Sequence, residues 1–270
     1  EIGSGLVGSE MCIRDRCIGS MASRSYSVRA LVLRRTKLGE SDVICTLLSC
    51  DGSQIRAVAK GARKPSSSFA SRLEVYSVCD LLLCQGKTLD IVKEARLLEG
   101  NEHLRRDYAL MEAASPMVEI LDKTTQVGLE DERLFPMTCV ALKALKAANL
   151  ENAVASPECY TAGYLLKTLA VLGFRPRFDT CVECGNSISP ERLPPRAPFS
   201  LVDGGMVCPS CSYASETITL SRDTVLWAQA LLFSTFEEIS HFEVEVDERL
   251  RVMRSVSYTH LRAHETGAYL

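Results

Sequence analysis

Val43-Ile-Cys-Thr-Leu-Leu-Ser49, then Asp51-Gly52, then Gln54-Ile-Arg-Ala-Val-Ala-Lys60, reads as two β-strands joined by a tight turn. The first run is β-branched and leucine-rich. The second alternates Ile55, Ala57 and Ala59 against Gln54, Arg56 and Lys60, with Val58 between. Asp-Gly is a strong turn dipeptide because Asp bonds its own backbone and Gly accepts positive φ. Working outward, Val28–Arg34 has the apolar and basic mix of a strand, and Val75–Gln85 and Thr88–Glu94 meet at Gln85-Gly86-Lys87, a hairpin turn. Five strands separated mostly by short turns suggest a small barrel, and the OB-fold has that strand number.

After Gly100 the period becomes helical. Leu104, Tyr108, Met111, Val118 and Leu121 recur at helical intervals, with Pro116 expected to break or kink the run. Leu134 to Ala148 predicts a second helix with Leu142 and Leu145 on one side. Pro157 opens a third, through Tyr160 and Tyr164 to Leu172, where Gly173 ends it and Pro176 prevents its resumption. The tyrosine stripe is read as packing. Ser221 is a good N-cap for a helix carrying Val225, Leu226, Trp227 and Leu232.

Between the last two helices lie Cys181-x-x-Cys184 and Cys208-x-x-Cys211, separated by 23 residues. Each pair has the spacing of a zinc knuckle, and four thiolates close a tetrahedral site with no open position. One structural Zn²⁺ is expected, against a redox dithiol or accidental pairing. The intervening segment reads as loop-rich, with Pro190, Pro194, Pro195 and Pro198. The fold class is therefore α+β: an N-terminal five-stranded OB-fold barrel at 21–99, then an α-helical domain at 100–254 with an inserted four-cysteine zinc ribbon at 178–214.

Composition sets the bounds. With 46% hydrophobic residues and 24% charged, the 270-residue chain suits a globular protein of one large or two modest domains. Its apolar runs are too short to span a bilayer. Cys45, Cys79, Cys84 and Cys139 sit in apolar runs as small hydrophobes, so the twelve cysteines fit a reducing cytosol. Residues 1–20 and 255–270 resemble translated adapter read-through, which makes Met21 the expected start and places the natural end near Arg254. The rival for these ends is a second metal site of Cys12, Cys17, His260 and His264.

Charge is unevenly spread. Between Arg29 and Arg72 stand nine Lys/Arg against three Asp/Glu, whereas Glu237 to Glu248 holds six acidic residues and no Lys or Arg. Lys60-Gly61-Ala62-Arg63-Lys64-Pro65-Ser66-Ser67-Ser68 leaves a strand and presents three cations within five positions, with hydroxyls suited to phosphate oxygens. Beside an OB barrel this makes a surface that tracks phosphates by counterion release. Arg29, Arg34, Arg35 and Lys37 extend it if they share its face. The competing reading is a solvated charged loop.

Enzyme readings fail. Gln85-Gly86-Lys87-Thr88 has the tail of a P-loop, but Leu81 stands where its opening glycine belongs. His241-Phe242-Glu243 follows the cysteines rather than preceding them, as a zinc deaminase requires. His103 and His241 read as surface or capping residues.

Leu38-Gly39-Glu40-Ser41-Asp42, then Ala57 through Pro65, then Gly173-Phe174-Arg175-Pro176 ahead of Cys181-Val-Glu-Cys-Gly, is similar to the bacterial DNA repair family RecO. The likeness covers roughly Tyr26 to Leu232. Family members often carry further Lys or Arg after the position of Pro65, where this chain has three serines. The resemblance implies a non-enzymatic recombination mediator of the RecF pathway, cytoplasmic and nucleoid-associated. It implies binding of single- and double-stranded DNA, strand annealing, and action with RecR to load RecA on DNA coated by single-stranded-DNA-binding protein, whose C-terminal tail is a further partner. The alternative is a zinc-ribbon protein–protein adaptor without direct DNA binding.

Overall fold

The computed structural model describes residues 24–148, 154–213 and 217–242. The terminal peptides 1–20 and 255–270, the Cys12/Cys17/His260/His264 grouping, and Glu243 lie outside the described residues.

Strands β1 (Ser25–Leu38), β2 (Asp42–Ser49), β3 (Gln54–Ala59), β4 (Val78–Cys84) and β5 (Asp90–Glu99) close into a barrel in the order β1-β2-β3-β5-β4. Its interior is an apolar cluster including Ala30, Val32, Cys45, Leu47, Ala57, Ala59, Leu81 and Leu83. The first strand is longer than the expected Val28–Arg34 because closure uses it twice. Ser25–Leu31 pairs with β4, and Ala30–Leu38 pairs with β2 across a register shift between Val32 and Arg34. The seam is a short parallel pairing of Ala57 with Asp90 and Val58 with Ile91. β4 starts at Val78 rather than Val75, since Tyr76 has positive φ (73°). Gln85-Gly86-Lys87 lies in the hairpin connection of β4 and β5, as its turn chemistry predicts.

By packing, the chain forms two compact units. One runs through Asn101 and also takes in Leu121–Phe135; the other holds Glu102–Ile120 and the residues from Pro136 on. Gly52 shows why the returning segment belongs with the barrel: at φ +86°, a Cβ there would lie 1.9 Å from the Asp131 carbonyl oxygen. Gln54 adds bonds from its backbone N–H to Gln126 O (3.0 Å) and from Nε2 to Asp122 O (3.0 Å).

The helices are α1 (Glu102–Arg106), α2 (Tyr108–Thr124), α3 (Leu134–Ala147), α4 (Pro157–Val171), α5 (Arg222–Phe233) and α6 (Phe236–Ile239). The expected break at Pro116 does not occur, and α2 is assigned as helix through it, with Ser115 Oγ donating to Met111 O at 2.7 Å. Along most of its length α4 is buried, Tyr160 and Tyr164 included, so it is the core helix of its unit. Tyr164 shares a hydrogen bond with Thr138 Oγ1 at 2.8 Å, and Thr161 Oγ1 donates to Ala113 O at 2.8 Å. Lys167 Nζ donates to Leu231 O and Leu232 O at 2.8 and 2.7 Å, satisfying carbonyls at the end of α5. Ser221 caps α5 as predicted, accepting from the Thr224 N–H at 3.1 Å. His103 is half-buried rather than a surface or capping residue, with Nε2 unpartnered among the described residues.

The loop-rich segment of the expected ribbon, with the residues just after it, forms a small sheet: β6 (Arg196–Ser200), β7 (Gly205–Met206) and β8 (Ile218–Ser221), in the order β7-β6-β8. Pro198 is tolerated in its middle strand because β7 ends before it; Pro198 O accepts the Val207 N–H at 3.0 Å.

Candidate nucleic-acid interface and metal centre

The cysteine pairs converge. One potential ligand atom from each of Cys181, Cys184, Cys208 and Cys211 lies within 4.8 Å of all the others, and among the described residues this is the only such His/Cys/Asp/Glu group. Metal–sulfur bonds of about 2.3 Å in a tetrahedron separate sulfurs by about 3.8 Å, and Cys184 and Cys208 Sγ are 3.7 Å apart. Backbone turns set each knuckle. Gly185, at φ +73°, donates to Cys181 O at 2.9 Å, and Cys211 N–H donates to Cys208 O at 3.0 Å. A Cβ on Gly205 would meet Val182 Cγ1 at 2.5 Å and Arg177 O at 2.9 Å, so only glycine lets β7 lie against the first knuckle.

Burial pushes the Cys181 thiol up, but N–H donors of Cys184, Cys208 and Glu183 outweigh it and bring it to about 6. Hydrogen bonding to Cys208 and Cys184 pushes Cys211 up to about 12. By contrast, burial pushes Cys45 to about 11 and Cys79 to about 12, as expected of inert core thiols.

The second candidate is one end of the barrel, where the β1–β2 turn holds the loop after β3. The Asp42 carboxylate accepts the Gly61 N–H at 2.8 Å and the Ser41 hydroxyl at 2.9 Å. Arg63 N–H donates to Ser41 O at 2.9 Å, and its Nη1 donates to Gly39 O and Glu40 O at 3.1 and 2.9 Å. The loop is thereby fixed, with Lys60, Arg63 and Lys64 exposed. Register Lys37↔Val43↔Ala59 puts Lys37 two strands from the loop's start, about 10 Å away. These four residues have no ion pair among the described residues.

The remaining predicted cations are placed differently. Arg29 pairs with Asp80 (2.8 Å), Arg34 with Asp122 (2.9 Å) and Arg35 with Glu74. Arg35 shares its register row with the core thiol Cys45 and is largely buried. So the seven residues do not make one face: four gather at the barrel end, and three arginines of β1 are matched by carboxylates. Arg56 is exposed and shares a cross-strand row with Arg34 through Thr46.

In the helical unit, a cavity of about 390 Å³ is lined in part by Arg175, Arg177, Phe178, Leu232 and Phe233. The Arg175 guanidinium carbon lies 4.9 Å from the Phe233 ring centroid, and Phe233 is 63% exposed. This joins cations to bare apolar surface.

Residues 21–101 match the family described as recombination protein O N terminal, and residues 105–264 match recombination protein O C terminal. The chain belongs to the RecO family. It is 33% identical to the DNA repair protein RecO of Desulfitobacterium hafniense (strain DSM 10664 / DCB-2) over 84% of this chain and 77% of that one. Against the DNA repair protein RecO of Bifidobacterium longum subsp. infantis the identity is 38%, over 68% and 72%. For that of Cutibacterium acnes it is 36%, over 77% and 82%. Among solved structures, an aspartyl tRNA synthetase from Entamoeba histolytica matches at a TM-score of 0.20 and 12% identity, over 62% of this chain and 38% of that one, too slight a likeness to indicate a shared fold. RecO membership accounts for the order of barrel, helices and four-cysteine ribbon, and it makes this a protein of DNA repair and recombination. Among the described residues no helix is long and apolar enough to cross a membrane.

Proposed function

We propose that this chain is a non-catalytic, cytoplasmic DNA-binding mediator of recombinational repair. Lys37, Lys60, Arg63 and Lys64 grip the phosphate backbone of single- or double-stranded DNA. The observation that carries the reading is the barrel end: four cations without an ion pair among the described residues, three of them on a loop that Asp42 and Arg63 hold in shape. Neutralising two backbones at one surface lets complementary strands anneal without bond chemistry or nucleotide hydrolysis. With RecR, the protein assists RecA loading on DNA coated by single-stranded-DNA-binding protein. The acidic, apolar tail of that protein suits the cavity of Arg175, Arg177, Phe178 and Phe233 by charge and by burial. The four cysteines hold one structural Zn²⁺.

The test is charge reversal of Lys60, Arg63 and Lys64 together, with affinity measured across a salt series. Losing about three phosphate contacts lowers the log–log salt slope by about 2–3. Unchanged affinity at low salt, with fold and metal content retained, removes this loop from the mechanism.

A second reading, a ribbon-bearing adaptor whose barrel docks a protein, is favoured by one observation: Arg29, Arg34 and Arg35 are already paired with carboxylates. It requires a shallow salt dependence, so the same series separates the two.

A further inference from the structure

Strands β4 and β5, with the segment that follows β3, line a groove of about 710 Å³ that adjoins the barrel end described above, since β5 runs parallel to β3 through Val58↔Ile91 and so brings Lys93 to the register of Lys60. Its floor is apolar: Leu82 and Phe69 are half-buried, and Leu97 is 37% exposed. Its walls are cationic, from Arg72, Lys93 and Arg96. A β-bulge supplies one of them. Leu82 pairs with Glu94 and Leu83 with Val92, which leaves Lys93 without a partner in the ladder. Such an extra residue re-aims the strand locally, and here two successive residues, Lys93 and Glu94, are exposed together. Arg72 is fixed as a wall by its bond from Nη1 to Ala95 O at 3.0 Å.

The acidic lining does not cancel these charges. Asp80 is engaged by Arg29 at 2.8 Å, which leaves Glu94 facing three cations. A duplex offers phosphates but stacks its bases inward, so it has nothing to lay on the apolar floor. A single strand presents both: phosphates for Arg72, Lys93 and Arg96, and base faces for Phe69, Leu82 and Leu97. We infer that the β4–β5 groove is a nucleic-acid subsite selective for unpaired strands, beside the cationic barrel end that takes either form. The inference rests on the nucleic-acid reading above and assigns its selectivity for unpaired strands to the groove side of that surface.

Fluorescence anisotropy with a labelled oligothymidylate and a labelled hairpin duplex tests it, on the full chain with metal content and circular dichroism checked. Lys93 and Arg96 are exposed and have no ion pair among the described residues, so K93E/R96E leaves the fold intact. That variant is expected to bind oligothymidylate about tenfold more weakly, with the salt slope lowered by about 1.4, two single-strand phosphate contacts' worth. Its duplex affinity stays within about twofold, the change left when groove contacts play no part in duplex binding. Unchanged oligothymidylate affinity overturns the inference, and so does an equal loss on the duplex. K60E/K64E is the companion variant. If it weakens both probes while K93E/R96E weakens neither, the barrel-end reading stands and the groove falls. If it weakens neither while K93E/R96E weakens oligothymidylate alone, the groove stands and the barrel end falls.

Discussion

The barrel and the cysteine ribbon are both β-structures, yet they are held together by different forces. Barrel strands run from 6 to 14 residues and wrap a continuous apolar cluster closed by hydrogen bonds on every side. Ribbon strands are 5, 2 and 4 residues long, below what a sheet needs for independent stability. Their packing is thin: Phe178 against Phe199 at 6.1 Å between ring centroids, with Met206 and Val207 buried beside them. What the ribbon lacks in core, a metal ion held by the four convergent sulfurs would supply. The lesson is a division of labour: the barrel carries its cations over its own apolar core, while the ribbon's shape would rest on a bound metal.

Metal removal should therefore break the two apart, and this is the largest effect expected. Structural zinc contributes about 10–16 kcal/mol of apparent binding energy in small fingers near neutral pH. On chelation, the amides of Val182, Met206 and Arg177, which are hydrogen-bonded within the ribbon, should lose hydrogen-exchange protection. Those of β2 and β4 should keep theirs. Alkylation should follow the same line: Cys184, exposed at the cluster, reacts, whereas Cys45 and Cys79 stay inert. Loss of protection in β2 and β4 together with the ribbon would show that the barrel, too, depends on the ion.

Two glycines sharpen the contrast at smaller cost. Gly52→Ala puts a Cβ into the Asp131 backbone at φ +86° and should destabilise the barrel unit by at least about 1–3 kcal/mol, seen as a lower thermal midpoint. Gly205→Ala meets Val182 and Arg177 O and should weaken metal affinity while leaving the barrel's melting unchanged. A Gly205→Ala protein that melts early in the barrel would undo the separation. Below these in size comes Ser221→Ala, which removes the acceptor for the Thr224 N–H and should cost about 1 kcal/mol in α5 by denaturant unfolding.

The same contrast explains what could be read in advance. Cys181, Cys184, Cys208 and Cys211 announced their site because thiolate spacing is local chemistry. The sheet around them was hidden, since Pro194, Pro195, Pro198 and two-residue β7 carry no strand pattern. In the barrel the reverse holds. The β-branched, leucine-rich run of β2 and the alternation in β3 disclosed the strands and Asp51-Gly52 their turn, but the double use of β1 and the parallel seam at Ala57 and Val58 leave no mark in composition. Its cations were visible, whereas their neutralisation was not. Asp80, Asp122 and Glu74 reach Arg29, Arg34 and Arg35 only through tertiary folding. Likewise Lys93 looks like an ordinary strand lysine until the bulge is seen.

The smallest effect tests whether the barrel end works by charge alone or by held shape. The Gly61 N–H, then the Ser41 hydroxyl, keep the Asp42 carboxyl below the usual carboxylate range, and Lys60 and Lys64 add to this. The folded state therefore binds fewer protons than the unfolded one across that range, so stability rises with pH there. The contribution is whole above the ordinary carboxylate value and fades as pH falls through the depressed one. The Gly61 amide, followed by NMR through an acid titration, should report it. Asp42→Asn removes a negative charge beside three cations, so charge alone would tighten DNA binding. If the loop must be held by Asp42, the Arg63 amide exchanges faster in this variant and DNA binds more weakly despite the added positive charge. Tighter binding with an unchanged Arg63 amide would mean that the loop needs only its charge, and that its shape comes from the bonds of Arg63 to Gly39, Glu40 and Ser41.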